Sequence, residues 1–587
     1  MTGAGSRRPR PAAEAPPGPA PVAVRPPTTG WSIGGLVALV VARAVVHAWQ
    51  GAHLVLDDWS LAYYGRADFW GALSGDFRTS RPGAWLSLTV VHGLADGRPL
   101  VLLGVLTALN AVFVVLVFLL ADRFLPRAAA VAVPAVWVLM ASHTSLTVWG
   151  STVPTVLALC LLAGGVLLLD DGRWPVATVC LCVAGLTYEL VLPAAVVAAL
   201  VMGREVRGSA RVVMVAALGA TGLWMSTHSI YPVDPAVPPL DDLWDSLFGR
   251  GLLGNERPAE DFRLLLVWAS LAVAVSGLVA FARGRRTRGS GPWLIVVGSA
   301  LVVLGTMGWV NLHDLSVPLG HTDRINALAA LGAAAIWVGA GLVAWARGWR
   351  GPTVAVAAVL TVVLMVGNVA TMAAWSAAGD DVAALFDHLE GLFPYPDSRD
   401  HVVGPDPETI HHDGVFALGA EGFADAAGRL SIGDGQGSVT VAAGPDAFAD
   451  TPGILVDWAD VLGGEPYPFA ERFPGSPVGA ADARPDGQTV VFSGWAVDPS
   501  APDVPVTVAL RVDGQVIEVV ADGPGPEGAD LPDGAGAAHG FHAAVDVGPG
   551  LVVACAVARD ADGGTGVPLP ITGPEGPRTS WCVGVPD

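Results

Sequence analysis

Long apolar runs separated by short polar loops fill the first two thirds of this 587-residue chain. A bilayer's hydrocarbon core takes roughly 20 residues of helix, so each run predicts a crossing. Eleven stand out: 31–55, 99–120, 128–146, 152–169, 174–187, 190–203, 211–230, 263–282, 292–311, 326–346 and 352–374. The fifth and sixth are short and break at Thr187-Tyr188-Glu189. Such segments tilt, thin the bilayer or form a hairpin that does not fully cross. The first run resembles the core of a signal peptide, but it is too long and lacks a clear small-x-small cleavage site. It therefore reads as a retained span.

The polar stretches carry patterns of their own. In the loop 56–98, Leu61, Tyr64, Phe69, Trp70 and Leu73 recur at helical spacing and predict helices on the membrane surface. Residues 380–392 read as an amphipathic helix. Short alternating runs broken by Gly, Pro and Asp follow, and from Pro477 TVVFSGWAV, VTVALRV and LVVACAVA predict strands of a small β-sandwich. The expected organisation is a disordered basic tail over 1–30, a membrane domain over 31–375, a linker or α+β region over 376–475, and a β-sandwich over 476–587.

Composition agrees with that division. Hydrophobic residues make up 52% and charged residues 14%, too few for a soluble globule, where about 25% is usual. The net charge of −21 hides two electrostatic objects. Residues 376–587 hold 33 Asp and Glu against 7 Arg, whereas residues 1–375 are slightly basic. An acidic surface excludes nucleic acid as a partner.

Arginines orient the spans. Arg123 and Arg127, Arg173, Arg204 and Arg207, Arg283 to Arg288, and Arg347 and Arg350 occupy alternate loops. By the positive-inside rule those loops are cytoplasmic. The N-terminus is then cytoplasmic and the acidic C-terminal region lies outside a multi-pass plasma-membrane protein. Cys555 and Cys582 fall in that outer region, where a disulfide or two unpaired thiols are the alternatives.

The candidate chemistry gathers in the outer loops. Asp57-Asp58-Trp59 follows the first span; paired carboxylates can supply a general base or hold a divalent metal, and they can equally cap a helix. Arg78 and Arg81 can grip phosphate or anchor the loop at the surface. Tyr188-Glu189 is either a cavity-facing pair or a turn. His313, Asp314, His321, Asp323 and Arg324 share one outer loop, in which Arg324 is placed to meet a lipid phosphate. Arg43 and His47 lie one turn apart on the first span and either line the same cavity or snorkel to the headgroups. His143 and Trp149 belong to the same outer side. Polar candidates on one face imply a cavity opening outward.

LVLDDWS after the first span, RPGAW, TYE and TDR together resemble the GT-C class of membrane glycosyltransferases, over residues 31–375. That resemblance implies an α-helical polytopic fold and inverting transfer of a sugar from a polyprenyl-phosphate donor to a glycan, lipid or protein acceptor of the cell envelope. It assigns Asp57 or Asp58 as the base, with Asp57 preferred. It makes Arg324, with Arg78 or Arg81, the donor-phosphate ligands, and places Trp59, Tyr188, Glu189 and His321 in the substrate site. The tail resembles a β-sandwich module of actinobacterial extracellular proteins through Gly494-Trp495-Ala496, Asp498-Pro499, Val512-Asp513-Gly514, His539-Gly540-Phe541 and the cysteine pair. That likeness implies a Cys555–Cys582 disulfide and adhesion or carbohydrate contact. Two other readings compete: a scaffold displaying the β domain, and a lipid-linked glycan flippase, which needs mid-membrane charges and internal repeats.

Overall fold

The computed structural model describes residues 28–55, 57–67, 75–202, 208–228, 290–306 and 326–391, and a series of strands and adjoining turns between 401 and 585. Helix α1 (Thr28–Gln50) leads into three helices of the first loop, α2 (Asp57–Ala67), α3 (Gly75–Ser80) and α4 (Pro82–Ala95). Next come α5 (Pro99–Ala121), α6 (Arg127–Leu139), the single turn α7 (Ser145–Val148), α8 (Val153–Asp170) and α9 (Trp174–Thr187). Then follow α10 (Leu192–Met202), α11 (Gly208–Thr227), α12 (Ser290–Thr306), α13 (Ala327–Ala346) and α14 (Arg350–Gly391). Pro82, Pro99, Pro154 and Pro175 each stand in the first turn of their helix, where a missing N–H costs nothing.

Among the described residues, six helices are long and apolar enough to cross a membrane, and four shorter apolar helices accompany them. The chain is a multi-pass membrane protein. These helices occupy ten of the eleven expected positions; 263–282 lies outside the described residues. The helices are apolar on nearly all sides, because one face meets lipid and the other meets protein. Leu106, Phe113, Phe118, Trp137, Leu159 and Leu181 form the packed interior, while Val354, Val359, Val362 and Val366 of α14 lie exposed.

The two ends of the bundle differ in chemistry. At one end Arg123 pairs with Asp170 and Asp171, and the Arg127 side chain reaches Ser32. At the other end, His53 Nε2 lies 2.9 Å from Asp380 Oδ1, Ser376 Oγ donates to the Gly51 carbonyl at 2.6 Å, and Gln50 reaches Val369 O. The amphipathic stretch expected over 380–392 is not a separate helix. It continues the last span without a break, so the expected boundary at 375/376 falls inside α14.

Beyond the bundle, β1 (His401–Gly404) pairs in parallel with β4 (Val439–Val441) and β5 (Gly453–Asp457), and β6 (Phe469–Arg472) closes that sheet antiparallel to β5. Between β1 and β4, β2 (His411–His412) and β3 (Val415–Phe416) form a short hairpin. Two five-stranded sheets follow. One contains β7 (Val478–Asp486), β8 (Thr489–Val497) and β11 (Gly540–Asp546); the other contains β9 (Val506–Val512), β10 (Gln515–Ala521) and β12 (Val552–Arg559). Inward residues alternate along them, and Phe492, Val490, Val508, Leu510, Ala556 and Phe541 share one apolar core. Cys555 is disulfide-bonded, and Cys582 faces it across the β12 ladder.

Candidate active site

The first loop is built onto the bundle through Asp58. This residue begins α2 beside Asp57 and is almost fully buried. The Gly150 amide donates to Oδ2 at 3.0 Å; the Ser151 amide and hydroxyl donate to Oδ1 at 2.8 and 2.9 Å. Gly150–Thr152 is a 3-10 turn that runs directly into α8, so the carboxylate caps a membrane helix from outside that helix. Unpaired amides and the helix dipole both favour a negative charge there. A Cβ on residue 150 would stand 2.9 Å from Asp58 Oδ1 and 2.8 Å from Leu102, so the cap requires glycine.

His92 of α4 stands on the other side, with Nε2 3.7 Å from Asp58 Oδ1. Burial pushes its imidazole down to about 3, so it is neutral beside the carboxylate. Asp58 is thus fully engaged by donors and offers little to a metal. Among the described residues, no three His, Cys, Asp or Glu side chains converge as ligands for one.

Two more predicted pairs meet at the same end. Arg81, just before α4, forms an ion pair with Glu189, and its guanidinium lies over the Tyr188 ring at 5.9 Å. Gly83 makes this junction: any side chain there would run into Thr187 at the end of α9. Without that close approach, α4 could not bring Arg81 to the Tyr188-Glu189 turn. Arg78 is exposed and lies 5.9 Å over the Trp85 ring. Trp59 packs on Phe386 of α14 at 6.2 Å between ring centres. Trp149 similarly meets Trp375 at 6.1 Å, so α14 flanks the first loop.

His321, Arg324, His313, Asp314 and Asp323 lie outside the described residues. Asn326, two positions after Arg324, is buried, and the carbonyl of Ala327 accepts the Trp137 indole N–H at 2.9 Å. The backbone of Asp57 belongs to α2; its side chain lies outside what the structure describes.

Sequence reasoning missed Gly150 and Ser151, two small residues in an apolar stretch 92 positions from their partner. The available signal was local: Trp149-Gly150-Ser151-Thr152-Val153-Pro154 combines small polar residues with a proline at a helix start.

No family model matches the sequence. No curated protein matches it either. Among solved structures, the chain is similar to ArnT from Cupriavidus metallidurans bound to undecaprenyl phosphate. The identity is 16% and the TM-score 0.40, covering 73% of this chain and 93% of that one. The apo form of the same protein gives 14% identity and a TM-score of 0.39, covering 73% and 96%.

Proposed function

We propose that this chain is a membrane glycosyltransferase that takes a sugar from a polyprenyl-phosphate donor and passes it, with inversion, to an acceptor of the cell envelope on the outer side. The observation that carries the reading is the capture of Asp58 by the 150–151 turn. It fixes the start of α2 at the polar end of the bundle. Neighbouring helix residues leave the axis about 100° apart, so a clamped Asp58 supports giving the base to Asp57. The two acids then divide the work: Asp57 accepts the acceptor hydroxyl's proton while Asp58 positions it.

Inverting transfer needs an activated hydroxyl on one side of the anomeric carbon and a departing phosphate on the other. Arg78 and Arg324 are the proposed phosphate ligands, because a guanidinium presents a fork of donors to phosphate oxygens. Arg81 serves differently, since its charge is matched by Glu189; it ties the first loop to the Tyr188-Glu189 turn. Trp59 and Tyr188 line the substrate side, and His321 joins them from the loop before α13. The C-terminal β region is the module that meets the envelope.

The test is transfer from a radiolabelled polyprenyl-phosphate sugar in proteoliposomes. Asp57→Asn is expected to abolish transfer with its unfolding temperature unchanged. Full activity in that variant would overturn the reading.

A further inference from the structure

Helix α14 gathers its protein contacts at one end. Near Arg350 its side chains lie exposed, among them Val354, Val356, Val359 and Val362. Past Val363 the pattern reverses, and Asn368, Thr371, Trp375, Ser376, Ala378 and Val382 are buried. Steps of three and four residues put these positions, with Gly379, on one broad face of the helix.

That face closes the ends of two other helices. Asn368 Nδ2 donates at 3.2 Å to the carbonyl of Met140, the residue that follows α6. Ser376 Oγ donates at 2.6 Å to the carbonyl of Gly51, the residue that follows α1. Carbonyls at a helix end have no partner within their own helix, and α14 supplies one to each. Gly51 has a φ of +118°, which favours glycine. Beside it, α14 touches the chain directly: a Cβ on Gly379 would stand 2.4 Å from His53 Cβ. His53 Nε2 and Asp380 Oδ1 are at ion-pair distance without the alignment of a hydrogen bond.

Both stretches held in this way lead to Asp58. From His53 the chain passes through buried Leu54 and Val55 into α2, where the Asp58 amide donates to Val55 O at 3.1 Å. From Met140 the chain runs to Trp149, which meets Trp375 of α14, and then to Gly150 and Ser151, which grip the Asp58 carboxylate. The carboxylate and its clamp thus belong to two separate stretches of chain. Helix α14 bridges the two and sets their spacing. Spacing matters at a reacting centre, where a misplacement of about 1 Å costs about 10²-fold in rate.

We propose that this half of α14 is the splint of the catalytic loop, with Asn368, Ser376 and Gly379 as positioning residues for the base at Asp57. The proposal rests on the transferase reading. It gives the last span a task separate from crossing the bilayer.

The full chain in nanodiscs is compared with Gly379→Ala and Ser376→Ala by hydrogen exchange, transfer kinetics and unfolding temperature. In Gly379→Ala, exchange over residues 57–67 should quicken at least about tenfold while α5 is unchanged. Its kcat should fall about ten- to a hundredfold with the donor KM unchanged, the signature of a misplaced reacting group rather than of lost binding. Ser376→Ala should show the same split in smaller measure. His53→Gly removes the atoms that residue 379 would strike, and in the Gly379→Ala background it should restore part of kcat. Wild-type exchange over 57–67 in both variants would overturn the proposal. So would quickened exchange with kcat unchanged, which would make the joint structural only. If Gly379→Ala does not fold, Ser376→Ala decides on the same two readouts. Failure of the transferase reading carries a different sign: full transfer by Asp57→Asn, with the exchange response of Gly379→Ala intact, would remove the catalytic role and leave a structural joint.

Discussion

The bundle and the C-terminal β region bury their residues on opposite principles. The β core is dry: Phe492, Val508, Leu510 and Phe541 meet one another, and a disulfide at Cys555 fastens one sheet. The bundle instead encloses Asp58, His92, Arg43, His47, His143 and Asn326. Burying such groups is costly unless they are partnered. Asp58 is fully partnered; several of the others are not. On the proposed reading the chemistry therefore belongs to the bundle, while the dry, disulfide-bonded β core contributes stability.

That contrast can be broken by experiment, beginning with the largest effect. Asp57→Asn should reduce transfer by about 10²–10⁴-fold, the usual weight of a general base, with thermal unfolding unchanged. Asp58→Ala should do the reverse in kind: loss of the buried cap should destabilise the bundle by about 3–5 kcal/mol, read as a lowered unfolding temperature in detergent. If both variants lose activity at wild-type stability, the division of roles between the two acids is wrong. Cys555→Ser should cost the β region about 2–4 kcal/mol in its own denaturant transition. Transfer to a soluble acceptor should be unchanged, and a parallel loss of transfer would erase the contrast between the two regions.

The fourth effect is a pH dependence. His92 has its folded value pushed down to about 3 by burial, whereas an unfolded imidazole takes up a proton near 6.5. Its contribution is complete above that value and is lost as the pH falls below it. At pH 5 the loss should be about 2 kcal/mol. The unfolding temperature should therefore drop between pH 7 and 5 in the wild type and less in His92→Gln. An equal drop in both would remove His92 as the cause. The smallest effect is at Arg81–Glu189, a half-buried pair. Arg81→Ala should cost about 1 kcal/mol of stability and slow transfer by loosening the first loop.

The sequence made much of this visible, for physical reasons. Span positions follow from length and hydrophobicity, which the bilayer imposes directly. Leu61 and Tyr64 of the first-loop pattern fall in α2, whereas Phe69, Trp70 and Leu73 lie outside the described residues; the grouping of Asp58, Arg81 and Glu189 at one end follows from arginine topology. Three features were not legible. The partners of Asp58 are a glycine and a serine whose role exists only after folding. The buried polar groups include Arg43, which alone is indistinguishable from a snorkelling side chain. The parallel pairing of β1 with β4 and β5 joins strands too short to announce their partners.

Helix α14 has a consequence of scale. Its 42 residues extend about 63 Å, roughly twice the hydrocarbon thickness of a bilayer. Anchored at Arg350 near the arginine-lined end, it must stand well clear of the lipid on the other side. Its far end packs beside the first loop, where Phe386 meets Trp59, so a single helix links the arginine-lined end of the bundle to the first loop.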